Sequence, residues 1–565
     1  MKKIKAYLAH PLARFAAAAM LAFLRFTYCG LRYFPQLDDY IQYHNYTSGR
    51  TVSQFWKTVE RVGLLGARPL AGLGDLYLWS HFWDCMIIAI LLMALMLAAS
   101  AILFETVFKR YFRCGWCFII IFTLLPLNIE GSYWLSASTR LVCGLFTASL
   151  SAYFLVKFCE KGSAWRAVLT LLFQTIAVFY YEQILVFSFT LNLLIGFCEW
   201  RRNRRLKPLL SLGGIGSVAF YFAFTSYFSG SSVYSSRAEL VLPTSSYYFK
   251  HFLPEILGQI KTAFLDGGWM TLAKGFYRGI KMIITDGALL YALLMLLLAG
   301  IAAVMAYLGW HKFHTEHQNE NRSEHTFPLG WQLLFALLIA AAPVSIFLVI
   351  ANPWFSLRNT MPSIVGIALA ADGIILYALE KLPSQKLSRA ISAALVFFMT
   401  FACVTASASE VKDYALTWEH DNALAALIYN EYYNQDINDE PVLIFNVEPS
   451  YLEDQNFSWH EHIHGTTESS WALRGLINSR ESDGDSQCVP MPIRDQLYKA
   501  WNYETMRPDR FEHFLYYDHE LTALERVYLM TLDVGYYEIQ REDGSALFRI
   551  REQDKIGYYE PVNSQ

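Results

Sequence analysis

Long apolar runs separated by short polar segments are the main pattern up to residue 406. Each run is about 20 residues long, which is enough to cross a hydrocarbon core about 30 Å thick. The expected fold is therefore an α-helical polytopic membrane protein. The runs predict about eleven membrane-spanning helices, at residues 11–31, 84–106, 115–131, 141–158, 165–181, 183–199, 208–229, 287–310, 329–351, 361–380 and 388–406.

Two of the polar connections, residues 32–83 and 230–286, are long and contain amphipathic stretches. Residues 52–65 and 252–284 place apolar side chains at helical spacing among polar ones. This pattern is typical of helices that lie in the membrane interface. We therefore expect both connections to follow the membrane surface.

Polar positions dominate after residue 406. Residues 410–432 favour a helix and the apolar run 441–447 favours a strand, while two strand-like stretches flank Glu542-Asp543-Gly544, a typical hairpin turn. The chain is thus expected to consist of a membrane domain, residues 1–406, and a small α/β domain, residues 407–565.

Composition and charge support this division. Only 17% of the residues are charged, against about 25% in soluble domains, which excludes a single soluble domain. Residues 407–565 contain 30 acidic and 12 basic residues, a net charge of −18, whereas the other 406 residues contain 19 acidic and 34 basic ones, a net charge of +15. The acidic domain argues against a nucleic-acid partner.

Basic residues cluster in alternate connections, most densely at residues 201–207. By the positive-inside rule these connections face the cytoplasm. The N-terminus, a predicted signal-anchor, then lies in the cytoplasm, and the two long connections and the acidic domain lie outside. Most of the chemistry is expected on that extracytoplasmic side.

The sequence Asp38-Asp39-Tyr40, a few residues beyond the first predicted span, is the strongest candidate for catalysis. One carboxylate can take a proton from an acceptor hydroxyl while the other positions the site or binds a cation. An ordinary acidic turn is the alternative interpretation.

Further charged residues are predicted at extracytoplasmic helix ends: Arg68, Glu130, Arg140, Glu182 with Gln183, and Arg358. An arginine there can hold a phosphate or anchor to lipid headgroups. A carboxylate between two spans is costly unless it faces the bundle interior, which makes Glu182 a functional candidate.

Two other features have simpler explanations. Asp372 is interpreted as a hydrogen-bonded packing residue. His460, His462 and His464 alternate as on one face of a strand, but no fourth zinc ligand is evident, and a solvated segment is favoured over a metal site.

Together these features resemble the GT-C superfamily of polytopic glycosyltransferases. Asp38-Asp39-Tyr40, followed by Gly66-Ala-Arg68-Pro-Leu and Tyr181-Glu182-Gln183, is similar to the bacterial GtrII-type glucosyltransferases, over about the first 200 residues. The resemblance implies a location in a bacterial plasma membrane and transfer of a sugar from a polyprenyl-phosphate carrier to a surface polysaccharide or glycolipid.

In this reading Asp38 or Asp39 is the general base, and Arg68, Arg140 and Arg358 are the candidates for binding the phosphate. Tyr40, Glu130, Glu182 and Gln183 complete the expected substrate site. The sequence requires no cofactor, and it leaves open whether the site binds a divalent cation.

Three other functions remain. A transporter or flippase of lipid-linked glycans would be built from repeated halves with broken helices. A non-catalytic assembly or sensor protein would need neither Asp38 nor Asp39. Within the enzymes, a polymerase or ligase acting on polyprenyl-diphosphate glycans is also compatible with the motifs.

Overall fold

The structure is a computed structural model of the 565-residue chain. It describes residues 10–44, 56, 64–203, 206–228, 241, 243–319, 327–351, 353–435, 440–447, 463, 465–468, 470–480, 487–491, 497–498, 507–518, 520–553 and 556–562. His460, His462 and His464 lie outside these ranges, as does most of the expected interfacial helix at 52–65.

The chain forms two compact units. The first contains Met1–Tyr33 and Gly49–Lys412, and the second contains Phe34–Ser48 and Asp413–Gln565. The expected division after residue 406 had assigned Phe34–Ser48, which includes Asp38 and Asp39, to the membrane domain.

The first unit is helical. Eight of the described helices are long and apolar enough to cross a membrane, or up to nine if one bent pair is a single span. Two shorter apolar helices, Pro11–Leu24 and Ala164–Val178, lie in further predicted spans. The α-helices are Pro11–Leu24, Leu64–Ala67, Pro69–Tyr77, Ile87–Phe108, Trp116–Leu124, Ile129–Tyr133, Leu135–Lys161, Ala164–Val178, Glu182–Asn203, Gly214–Phe228, Leu253–Lys261, Gly267–Trp269, Gly275–Thr285, Leu289–Asn319, Leu329–Ser345, Met361–Glu380 and the start of Gln385–Gln435.

The bent pair consists of Trp116–Leu124 and Pro126–Tyr133, which meet at 44°. Pro126 has no backbone N–H to donate, and it forces the preceding residue, Leu125, out of the helical region, to ψ 123°. The break directs the polar residues Asn128 and Glu130, both fully buried, into the interior of the unit.

The amphipathic stretch predicted at residues 252–284 is helical throughout. It begins with a π-helical turn at Tyr248–Phe252 and contains two more, at Thr262–Asp266 and Met270–Lys274. Its orientation relative to a membrane surface stays a prediction.

The helix Gln385–Gln435 is 51 residues long. The sequence pattern predicts a span that ends at residue 406 and a separate helix at 410–432. The two are one helix, because no proline or glycine interrupts the chain between them.

The second unit contains the C-terminal part of that helix, the helix Ser470–Asn478 and an eight-stranded sheet of order β2-β1-β4-β5-β6-β7-β8-β3. β1 lies next to the edge strand β2 and runs parallel to β2 and β4, and the other pairs are antiparallel. Phe445, Phe514, Ile539 and Phe548 form part of the buried core. The strands are β1 Pro441–Phe445, β2 Gln487–Met491, β3 Leu497–Tyr498, β4 His513–Asp518, β5 Ala523–Asp533, β6 Tyr536–Gln540, β7 Ala546–Gln553 and β8 Ile556–Pro561.

The predicted hairpin is β6–β7. Its turn contains Gly544 at φ +80°, and the N–H of Gly544 donates to the carbonyl of Arg541 at 3.0 Å. A left-handed residue at this point favours glycine, which explains the turn signal in the sequence.

Candidate functional site

A tight turn in the second unit holds Asp38 and Asp39. The N–H of Gln36 donates to Asp39 Oδ2 at 2.9 Å, and the N–H of Asp39 donates back to the Gln36 carbonyl at 2.8 Å. Asp39 is fully buried and begins the short helix Asp39–Tyr43. Its carboxylate therefore fixes the turn from inside.

Leu37 lies at the tip of this turn with φ +31°. A branched residue rarely adopts this left-handed region, and the strain costs about 1–3 kcal/mol. The side chain is 5% exposed, so its burial helps to hold the backbone in place. Strain of this kind is common where a protein must position the next residue.

The next residue is Asp38, whose side chain is partly exposed. Its Oδ1 accepts a hydrogen bond of 3.1 Å from Nε1 of Trp471, in the helix Ser470–Asn478. Trp471 is itself 50% exposed. Nothing in the sequence pattern indicates that a residue 433 positions away contacts Asp38.

Tyr40 is buried, with 2% of its surface exposed, and its hydroxyl lies 3.5 Å from the Pro35 carbonyl. Burial, together with the carboxylates of Asp421 and Asp39, raises the pKa of Tyr40 well above its usual value. The phenol therefore stays protonated at neutral pH. Its expected contact with a substrate stays a prediction.

Asp421, on the long helix, is a member of this cluster that the sequence analysis missed. It is 1% exposed and its Oδ2 accepts the N–H of Thr466 at 2.7 Å. The sequence placed it in the predicted helix at 410–432, among polar positions where an acidic residue normally faces solvent.

In the first unit, Glu130 and Arg358 form the centre of a second group. Glu130 is fully buried and accepts the N–H of Arg358 at 2.7 Å and the hydroxyl of Ser356 at 3.1 Å. The Arg358 guanidinium lies 4.8 Å from the ring of Trp134 and 4.5 Å from that of Trp354. The charge is thus held between two indoles and beside a buried carboxylate.

Gln183 connects this group to the start of the helix Glu182–Asn203. Its Nε2 donates to the carbonyls of Asn359 at 3.0 Å and Pro343 at 3.2 Å. Its Oε1 accepts Nδ2 of Asn359 at 3.0 Å. All hydrogen-bonding atoms of this buried amide are therefore used between helix ends.

Arg68 and Glu182 form an ion pair at the same helix start. Nε of Arg68 lies 3.2 and 3.1 Å from the two carboxylate oxygens. The guanidinium also lies 4.2 Å from the ring of Tyr181, whose hydroxyl is 3.3 Å from Nδ2 of Asn359. Arg68, Glu182, Gln183, Glu130 and Arg358 are thus joined in one network through residues 356–359.

Arg140 forms a separate pair with Asp75 at 3.0 Å. Asp75 also accepts the Thr139 hydroxyl at 3.1 Å. All three predicted phosphate-binding arginines therefore contact a carboxylate. A phosphate could bind them only by joining or displacing those carboxylates.

Arg25 was overlooked because it lies in an apolar run. It is fully buried at the end of the helix Pro11–Leu24 and donates to Asn128 Oδ1 at 2.7 Å and Ser132 Oγ at 2.6 Å. No ion pair joins it to a carboxylate in the described part of the chain.

Asp372 is a fully buried packing residue, as expected, and accepts the N–H of Gly115 before the helix Trp116–Leu124.

The only candidate metal group among the described residues is Glu440, Glu512 and His513, whose ligand atoms lie within 4.8 Å of one another. Both glutamates are exposed, and acidic groups often approach at a surface without a metal.

Comparison with protein-family models found no matching family, and comparison with curated proteins found no matching protein.

Proposed function

We propose that the protein is a membrane glycosyltransferase. It moves a sugar from a polyprenyl-phosphate donor to a polysaccharide or glycolipid on the extracytoplasmic face, with Asp38 as the general base. The resemblance of Asp38-Asp39-Tyr40, Arg68 and Tyr181-Glu182-Gln183 to GT-C enzymes is the basis for this choice of reaction.

The turn at Gln36–Asp39 is the observation that carries the proposal. In this turn the two carboxylates have different surroundings. Asp39 accepts a backbone hydrogen bond and is fully buried, whereas Asp38 is partly exposed. A general base must reach the acceptor hydroxyl. Asp38 meets this requirement, and Asp39 acts as its positioning residue.

In the proposed step, Asp38 takes the proton of the acceptor hydroxyl as the oxygen attacks the anomeric carbon. The bond from that carbon to the phosphate oxygen breaks, and the phosphate leaves with the electron pair. Direct displacement inverts the anomeric configuration. Cationic side chains stabilise the leaving phosphate, a role for which the resemblance suggests Arg68, Arg140 and Arg358.

The test is transfer by full-length protein in lipid vesicles with a polyprenyl-phosphate sugar and candidate glycan acceptors. Asp38→Asn keeps an oxygen that can accept the Trp471 hydrogen bond but cannot take a proton. We expect it to lower the rate by about 10²–10⁴-fold at unchanged protein abundance. In cells, the same variant should fail to restore a surface side-chain sugar that is lost on deletion.

Asp39→Asn serves as the matched variant. It should reduce activity together with thermal stability, because it weakens the turn. Full activity of Asp38→Asn would overturn the assignment of the base.

A transporter or flippase of lipid-linked glycans is the second candidate. The helix broken at Pro126, with Asn128 and Glu130 buried at the break, is a feature used by transporters. This function predicts movement of a lipid-linked sugar across vesicles without any acceptor, and equal movement by Asp38→Asn.

A further inference from the structure

Among the described residues of the first unit, six arginines pair with a carboxylate: Arg14, Arg68, Arg110, Arg113, Arg140 and Arg358. Arg25 is buried more completely than any of them, and its hydrogen bonds within the described ranges go to neutral acceptors, while its guanidinium lies 4.4 Å from the ring of Phe26. Burying a guanidinium without a counter-charge costs several kcal/mol. A residue placed in this way needs an explanation.

The neutral acceptors are held rigidly by the broken helix. Nδ2 of Asn128 donates to the Phe122 carbonyl at 2.8 Å, which directs Oδ1 toward Arg25. The Ser132 hydroxyl donates to the Asn128 carbonyl at 2.6 Å. The arginine is therefore fixed in one orientation by groups that do not neutralise it.

Two buried donors in this region have no acceptor among the described residues. They are Nε of Arg25 and the hydroxyl of Tyr291, whose helix, Leu289–Asn319, packs against the helix Pro11–Leu24 that precedes Arg25. A positive charge with two spare donors suits an oxyanion that has several acceptor oxygens.

Tyr28 and Asp286 form a cover over this group. Tyr28 packs edge-on against Tyr291 with ring centres 5.3 Å apart, and its hydroxyl donates to Asp286 Oδ2 at 2.9 Å. Exposure falls from Asp286 through Tyr28 to Tyr291 and Arg25. We expect a ligand to reach the buried donors by opening this exposed hydrogen bond.

We propose that Arg25 and Tyr291 form a binding site for a phosphate ester. Guanidinium groups match phosphate geometry through paired hydrogen bonds. Arg25 follows an apolar helix, so the headgroup of a phosphorylated lipid is the expected source. The inference rests on the proposed function as far as the lipid is concerned, since the polyprenyl-phosphate donor is such a lipid, but its test measures binding without transfer, so the two can fail separately.

Purified full-length protein in detergent provides the test, with farnesyl phosphate as the probe and farnesol and inorganic phosphate as comparators. Wild-type protein should bind farnesyl phosphate, and farnesol at least about tenfold more weakly. Binding of inorganic phosphate with the same dependence on Arg25 would support the anion site but assign it to free phosphate.

Four variants locate the site. Arg25→Gln should weaken farnesyl phosphate about tenfold or more, and Tyr291→Phe by several fold. Arg113→Gln, which removes a carboxylate-paired arginine, should leave the affinity unchanged. Asp286→Asn keeps an acceptor for Tyr28 but removes a negative charge from the cover, so it should bind as tightly as wild type or more tightly.

Equal binding of farnesyl phosphate and farnesol would overturn the proposal. So would wild-type affinity in folded Arg25→Gln. If Arg25→Gln does not fold, Tyr291→Phe decides, because loss of one hydroxyl leaves the packing intact, and unchanged affinity in that variant would count against the site.

Discussion

Trp471 donates its indole N–H to the carboxylate of Asp38 at 3.1 Å. One residue belongs to the short helix before β2, and the other follows the strained Leu37. The proposed base is thus oriented from within its own unit by a residue far away in sequence.

Trp471→Phe should lower the proposed transferase activity by about three- to tenfold, since it removes one hydrogen bond to a charged group at a partly exposed position. The aromatic ring stays, so the thermal unfolding temperature should change little. Trp165→Phe, at a tryptophan 55% exposed in the other unit, is the control and should be neutral. An unchanged rate for Trp471→Phe would show that the contact does not orient Asp38.

Glu130→Gln and Glu182→Gln should differ strongly in stability. Glu130 is fully buried and holds the backbone of Arg358, so its loss should cost about 3 kcal/mol. The Arg68–Glu182 pair is about a quarter exposed on both sides, and its loss should cost less than about 1 kcal/mol. Thermal unfolding in detergent measures both, and equal losses would contradict the difference in burial.

Gly366→Ala should destabilise the helix pair Leu329–Ser345 and Met361–Glu380. A methyl group there would lie 2.3 Å from the Ala336 carbonyl oxygen and 2.7 Å from the Ala340 nitrogen, and backbone atoms cannot easily move aside. We expect a loss of about 1–3 kcal/mol. Gly300→Ala, with no atom within 4 Å of the added methyl, should instead stabilise its helix by up to about 1 kcal/mol.

Arg549→Gln should remove a pH-dependent contribution to the stability of the β6–β7 hairpin. Hydrogen bonds from Gln540 and Arg549 lower the pKa of Glu538, so this contribution is present above the unfolded-state pKa of about 4.3 and is lost as the pH falls through the lowered folded pKa. Wild type should therefore protect the hairpin amides better than the variant at neutral pH, and the difference should disappear in acid. Hydrogen exchange of the β6–β7 peptide at several pH values measures this, and a constant difference would exclude Glu538 as its source.

Hydropathy was sufficient to identify a polytopic membrane protein, because a run of about 20 apolar residues has few other stable locations. The count of eleven spans stays a prediction, since eight or nine of the described helices meet the length and composition of a span. Hydropathy could not show that Phe34–Ser48 joins the C-terminal unit, since that depends on contacts such as Gln36 Nε2 with the Tyr414 carbonyl at 3.4 Å. Such contacts connect residues hundreds of positions apart.

Within the candidate site, residue type indicated which side chains were unusual but not their partners. Glu130, Glu182 and Arg358 stood out as charges at apolar helix ends, and all three lie in one network. Arg25 was missed because an arginine inside a predicted anchor is expected to extend toward the membrane surface. Its burial depends on the break at Pro126, which supplies Asn128 and Ser132.

The strand order also determines the curvature of the C-terminal sheet. β2 and β3 form its two edges, yet only residues 492–496 separate them in the chain. A flat sheet of eight strands would place those edges about 34 Å apart, whereas the connection reaches about 22 Å at most. The sheet must therefore curve enough to bring its two edges within reach of that connection. This curvature brings the two edge strands toward each other and narrows the space in which a strand of another molecule could pair with either edge.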